Sequence, residues 1–144
     1  MIEIVREAEL PAPPDVVSEM VTDVARWPDW FALHKGWAGD VPTEVRKGTK
    51  FKHKVRIMGI PGEVSWKVEE FVAPERFLLK GSGPMRSGME VEFDAEPVGD
   101  GTLVVMRAQA SGFALRPVAG QLKPWLDVRV DRSLDALTAL LVAV

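Results

Sequence analysis

His34 and His53 are the two side chains in this 144-residue chain that would ordinarily titrate near neutral pH. His53 sits in the alternating run Phe51, His53, Val55, Ile57, interleaved with Lys50, Lys52, Lys54 and Arg56. In a strand, period-2 alternation of this kind puts His53 on the apolar face. There an imidazole can act as general acid or base, or orient a ligand through a hydrogen bond. His53 is therefore the candidate catalytic residue. Its plainer role is that of a core-edge histidine bonded to a backbone carbonyl. His34, followed by Lys35, faces either the mouth of a cavity or solvent. The two imidazoles, nineteen positions apart with no thiolate and no clear carboxylate partner, fall short of a zinc site. No metal and no cofactor are expected.

Other chemistries have even less support. The chain has no cysteine, which removes disulfides, thiolate metal sites and cysteine nucleophiles and fits a reducing compartment such as the cytoplasm. It has no tyrosine, hence no phenol acid. None of its serines lies in a G-x-S-x-G context. The turn Gly83-Pro84-Met85-Arg86-Ser87-Gly88 lacks the spacing of a phosphate loop. Arg86 within it could clamp a carboxylate at a cavity rim, or simply face solvent. A net charge of −3 argues against a dedicated nucleic-acid binder. The stripe Lys50, Lys52, Lys54, Arg56 is expected to pair across strands with Glu63, Glu69 and the acidic stripe Glu90, Glu92, Asp94, Glu96.

The elements that position these residues follow from periodicity. Residues 2–10 read as an edge or half-buried strand, stopped by Pro11, Pro13 and Pro14. Val16, Val17, Met20, Val21 and Val24 recur at helical spacing, with Pro28 expected to end that helix and a second short helix over 29–33. Strands are expected over 49–58, 63–72, 76–80, 85–96 and 102–111, separated by glycine- and proline-rich turns and paired antiparallel. Each has an apolar and a charged face. From Pro117 the spacing becomes helical again: Leu122, Trp125 or Leu126, Val130, Leu134, Leu137 and Leu141 form one stripe, with Pro124 starting or kinking the helix. A one-sided sheet and a long amphipathic helix must cover each other, which makes one α+β domain over 1–144. No secretory signal is expected. The apolar stretch 136–144 is too short to span a bilayer, so no membrane partner is expected.

The run Asp23-Val24-Ala25-Arg26-Trp27-Pro28-Asp29-Trp30 resembles the D-x-x-x-W-P-x-W signature of the START-like, or SRPBCC, superfamily. The element order also resembles its helix-grip fold: a curved antiparallel sheet wrapped around a long C-terminal helix, with two small helices after the first strand. Gly59-Ile60-Pro61-Gly62-Glu63-Val64-Ser65-Trp66-Lys67-Val68 is similar to a turn and strand of polyketide cyclase/dehydrase members. Residues 30–37 look like a mycobacterial subgroup named as toxins of type II toxin–antitoxin pairs.

What the resemblance implies is a deep cavity between sheet and final helix, holding a lipid, polyketide or aromatic metabolite. The apolar inward faces suit such a cavity or a solid core alike. The expected lining is Phe51, His53, Val55, Trp66, Met89, Met106, Leu122 and Trp125, with Trp30, His34 and Arg86 at the rim. Met58 and Met85 would add adaptable surface, and Trp27, Trp30 and Trp37 would seat the small helices against the open end of the sheet. Three functions stay open: a binding protein for a small hydrophobic molecule, a polyketide cyclase/dehydrase-like enzyme with His53 as its acid–base group, and a toxin whose partner is an antitoxin protein.

Overall fold

The computed structural model describes residues 1–142; Ala143 and Val144, the end of the expected domain and apolar tail, lie outside the described residues. Strand β1 (Ile2–Leu10) leads into helix α1 (Pro14–Thr22), which starts at a proline where the missing N–H is harmless. Asp15 in its first turn favours the helix dipole, and Val17, Met20 and Val21 are buried. The helix ends at Thr22, earlier than Pro28. The Trp27 indole N–H donates to the carbonyl of Val21 at 3.0 Å and so satisfies one of the unpaired carbonyls at the helix end. A 3-10 turn (Val24–Arg26) follows, then helix α2 (Trp27–Trp30). Pro28 thus sits in the first turn of α2 instead of ending α1, and the second helix lies two residues before its expected start.

The remaining strands are β2 (His34–Trp37), β3 (Lys50–Ile57), β4 (Ile60–Val72), β5 (Arg76–Ser82), β6 (Gly88–Val98) and β7 (Gly101–Ser111). They form one antiparallel sheet in the order β1-β7-β6-β5-β4-β3-β2. Short turns place sequential strands side by side, and β1 closes on β7 at the far edge. At the β3–β4 turn Ile57 pairs with Ile60, and Met58 and Gly59 both have positive φ (52° and 83°). That is the backbone a two-residue hairpin turn demands.

Helix α3 (Ala119–Val142) lies against β1 and α2 and buries Leu122, Leu126, Val130, Leu134, Leu137 and Leu141. Pro124 stands inside it, five residues after its start. Arg6 ties β1 to α3 through Asp127 at 2.8 Å and Asp131 at 2.9 Å. No helix among the described residues is long and apolar enough to cross a membrane.

The outer face of the sheet corrects one expectation. β6 lies between β5 and β7, with two strands, β5 and β4, separating it from β3. Its acids therefore do not meet the basic stripe of β3. Glu92 pairs with Arg76 of β5 at 2.9 Å and stands opposite Arg107 of β7. Lys54 does stand directly opposite Glu63 of β4, as expected, although among the described residues Lys50, Lys52, Lys54 and Arg56 form no ion pair.

Candidate ligand cavity and histidine pair

Two small cavities lie between the sheet and α3. One, of about 60 Å³, is bordered by Ile2, Ile4, Trp30, Trp66, Met106 and Val130 among others. The second, of about 110 Å³, is bordered by Ile57, Met58, Ile60, Met85, Leu115 and Leu122 among others and opens at the β3–β4 turn. Met89, Ala110 and Leu126 border both. An apolar cavity of roughly 150 Å³ suffices for benzene. The interior is therefore a partitioned space, in place of the single deep cavity implied by the resemblance. Trp66 owes its position to Gly81, its cross-strand neighbour. A Cβ at Gly81 would lie 2.8 Å from the Trp66 ring and 2.5 Å from the Ser65 carbonyl.

Of the expected lining, Trp66, Met89 and Met106 border the first cavity, and Leu122 and Met89 the second. Phe51, His53 and Val55 are buried on the inward face but border neither. Trp125 borders neither; its ring lies under the Arg129 guanidinium, 4.1 Å away, and Leu126 takes the inward position on the helix. Of the expected rim, Trp30 is buried in the cavity wall and Arg86 is exposed beside Met85 in the 3-10 turn Pro84–Arg86. Trp30 carries an unusual feature: its indole N–H is buried and has no hydrogen-bond partner.

His34 is drawn inward to His53. Their Nδ1 atoms are 3.0 Å apart. The edge strand β2 brings them together, with a bulge between His34 and Gly36 that sets their offset. Trp66 completes the arrangement: its Nε1–H donates to His53 Nε2 at 2.9 Å. That bond assigns the protons. An indole nitrogen only donates, so Nε2 of His53 must be the acceptor and Nδ1 carries the proton of the neutral ring. Nδ1–H then donates to Nδ1 of His34, whose own proton is on Nε2. His53 therefore bonds to two side chains, not to a backbone carbonyl. A proton added to His34 Nδ1 would face another N–H and break the contact.

His53 is fully buried, edged by Trp27 and Phe31 at 5.6 and 5.5 Å. Burial, with a smaller contribution from His34, pushes its pKa down to about 4; burial lowers that of His34 as well. Both rings are neutral at pH 7. The Nδ1 lone pair of His53 is consumed by its proton, so the pair offers a metal no bidentate grip without first losing the Trp66 bond. Among the described residues no cluster of three or more histidine or acidic side chains is placed to hold a metal.

Sequence reasoning missed the mouth residues Ile60, Leu115 and Val118, and missed the pairing of the histidines. Strand β2 is four residues long and too short to show periodicity.

The curled antiparallel sheet around a C-terminal helix defines a START-like, helix-grip protein of the α+β class. Residues 1–142 match the model of the family described as "Polyketide cyclase / dehydrase and lipid transport", and the chain belongs to that family. A Mycobacterium tuberculosis (strain ATCC 25618 / H37Rv) protein named Toxin Rv0910 is 27% identical over 117 residues, covering 80% of each chain. A START superfamily protein from Mycobacterium smegmatis has the same fold at a TM-score of 0.78 and 18% identity, covering 98% of this chain and 97% of that one. Protein CV1439 from Chromobacterium violaceum is similar at a TM-score of 0.78 and 18% identity, covering 98% of both chains.

Proposed function

We propose that this protein binds a small hydrophobic molecule between the sheet and α3, acting in the cytoplasm as a carrier or sensor. The observation that carries the reading is the pair of adjoining apolar cavities that share Met89, Ala110 and Leu126 as a border; of these Met89, with three rotatable bonds and no branch, is the one that can move aside. The unpartnered indole N–H of Trp30 narrows the chemistry. A buried donor without an acceptor is costly, so the ligand is an apolar body bearing one acceptor oxygen, such as a ketone, ester or ether.

Native mass spectrometry on protein purified without lipid or detergent tests this. The expected result is a reproducible added mass released on denaturation; a clean protein mass counts against the reading. Trp30→Phe should weaken acceptor-bearing ligands about fivefold to tenfold, one hydrogen bond's worth, and leave purely apolar ligands unchanged. Met89→Ala should merge the two spaces and admit larger ligands, read as a shift to heavier bound masses. Equal mass profiles in wild type and variant would remove Met89 as the partition.

A cyclase or dehydrase would need an acid–base group on the cavity wall. His53 borders neither cavity and reaches the first through Trp66 and Phe31, while the ionisable side chains on that wall are Glu90 and Arg129; with no histidine on the wall, that reading stands second. The name of the 27% identical relative favours a further reading, a toxin neutralised by an antitoxin protein. Growth arrest on expression, relieved by a co-expressed neighbouring gene, would support it.

A further inference from the structure

We propose that the end of the molecule around the cavity mouth docks on an anionic lipid surface. This concerns peripheral attachment, which the absence of a spanning segment does not address. It extends the carrier reading by naming where the ligand is loaded, and it stands on separate observations.

The first is charge. The chain contains three long runs without a single aspartate or glutamate: 45–62, 76–89 and 101–126. Together they hold twelve of its eighteen basic residues and none of its twenty-one acids; Arg56, Arg86 and Arg116 are the three of the twelve on the segments at the mouth, whereas Arg76 and Lys123 pair with acids elsewhere. In the fold, these runs supply the three segments that meet at the mouth. They are the β3–β4 turn with Arg56, the 3-10 turn Pro84–Arg86, and the 3-10 segment Phe113–Val118 with Arg116. Among the described residues none of Arg56, Arg86 and Arg116 pairs with an acid. A basic end on a chain of net charge −3 is complementary to an anionic surface.

The second is apolar exposure. Met58, Ile60 (63% exposed), Met85 (60%) and Phe113 (83%) project from the same three segments. Arg116 lies 5.4 Å over the Phe113 ring, holding a cation beside the most exposed aromatic ring. Exposed apolar side chains rimmed by cations suit the boundary between headgroups and acyl chains.

The third is backbone. Among the described residues the non-glycine positions with positive φ are Met58, Met85 and Arg86, and all three are at this mouth. Left-handed backbone at such residues is uncommon and clusters where function requires it. A nucleic acid suits the face less well, since Phe113 is its one exposed aromatic ring and single-strand binders present several.

The test is co-sedimentation of the full chain with vesicles of phosphatidylglycerol and phosphatidylcholine, against pure phosphatidylcholine. Binding to the anionic vesicles at low salt, lost at high salt, is expected. Arg56→Gln and Arg116→Gln should each weaken it about fivefold, and Phe113→Asp should abolish it. No pelleting with anionic vesicles overturns the proposal, as does equal pelleting with neutral ones. A dimer in sedimentation velocity that Phe113→Asp dissolves would overturn it too, by assigning the face to a second copy of the chain. Arg56, Arg116 and Phe113 do not border the cavities, so the same variants should keep the wild-type bound mass in native mass spectrometry. Vesicle binding without any bound mass would remove the carrier reading and leave the docking face standing.

Discussion

Trp27→Ala should cost about 4 kcal/mol of folding stability, in the range for truncating a buried tryptophan. Trp27 is fully buried, stacks on Phe31 at 4.8 Å and meets Phe51 edge-on at 5.1 Å. Its indole N–H also holds the end of α1 through the Val21 carbonyl. The substitution thus removes a large apolar surface and leaves a buried carbonyl unpaired. Domains of this size are stable by only about 5–15 kcal/mol, so the variant should be partly unfolded at growth temperature. Trp27→Phe separates the two contributions: it keeps a ring in place and should lose only about 1–2 kcal/mol, the part due to the hydrogen bond and the smaller ring. Urea unfolding followed by circular dichroism reads both. A Trp27→Ala protein within about 1 kcal/mol of wild type would show that this residue does not tie α1, α2 and the sheet together.

Acid should destabilise the fold through His53 by about 3 kcal/mol. The sign follows from its pKa, which is near 6.5 in the unfolded chain and pushed down to about 4 by burial in the native state. Between those values the unfolded chain binds a proton that the folded protein refuses, so stability rises with pH there. The contribution is fully present above about pH 6.5 and lost as pH falls toward about 4. His34, also shifted down by burial, acts in the same direction. Carboxylates contribute to acid unfolding as well, so the readout is a difference. Urea midpoints at pH 7.5 and 4.5 should fall further in wild type than in His53→Gln, which keeps an acceptor for Trp66 but does not titrate. Equal falls in the two proteins would mean that His53 is not held neutral by its surroundings.

The layout of the fold was legible because burial imposes a period. Phe51, His53 and Val55 alternate with lysines, and Val64, Trp66 and Val68 alternate with Glu63 and Lys67, so each strand and its inward face could be read in one dimension. The candidate site was legible only residue by residue. Trp66, Met89, Met106 and Leu122 border the cavities, but His53, equally inward by alternation, stands away from them. Trp125 and Leu126 are adjacent on the helix, and only the direction of the sheet decides which one faces it.

The sequence by itself determined that this chain forms strands with one apolar face and a long amphipathic helix to cover it, that it has no cysteine thiol, and that none of its serines lies in a G-x-S-x-G context. These are properties of composition and local periodicity. Tertiary structure alone decided that His34 meets His53, that Glu92 meets Arg76 in place of the β3 lysines, and that one segment from each of three acid-free runs meets at a single mouth. Each depends on strand order or on an irregular register between distant segments. Tertiary structure also decided that the interior is two small spaces in place of one large one. A cavity is the small difference between the volume a sheet and helix enclose and the volume their side chains fill, and no local pattern records that difference.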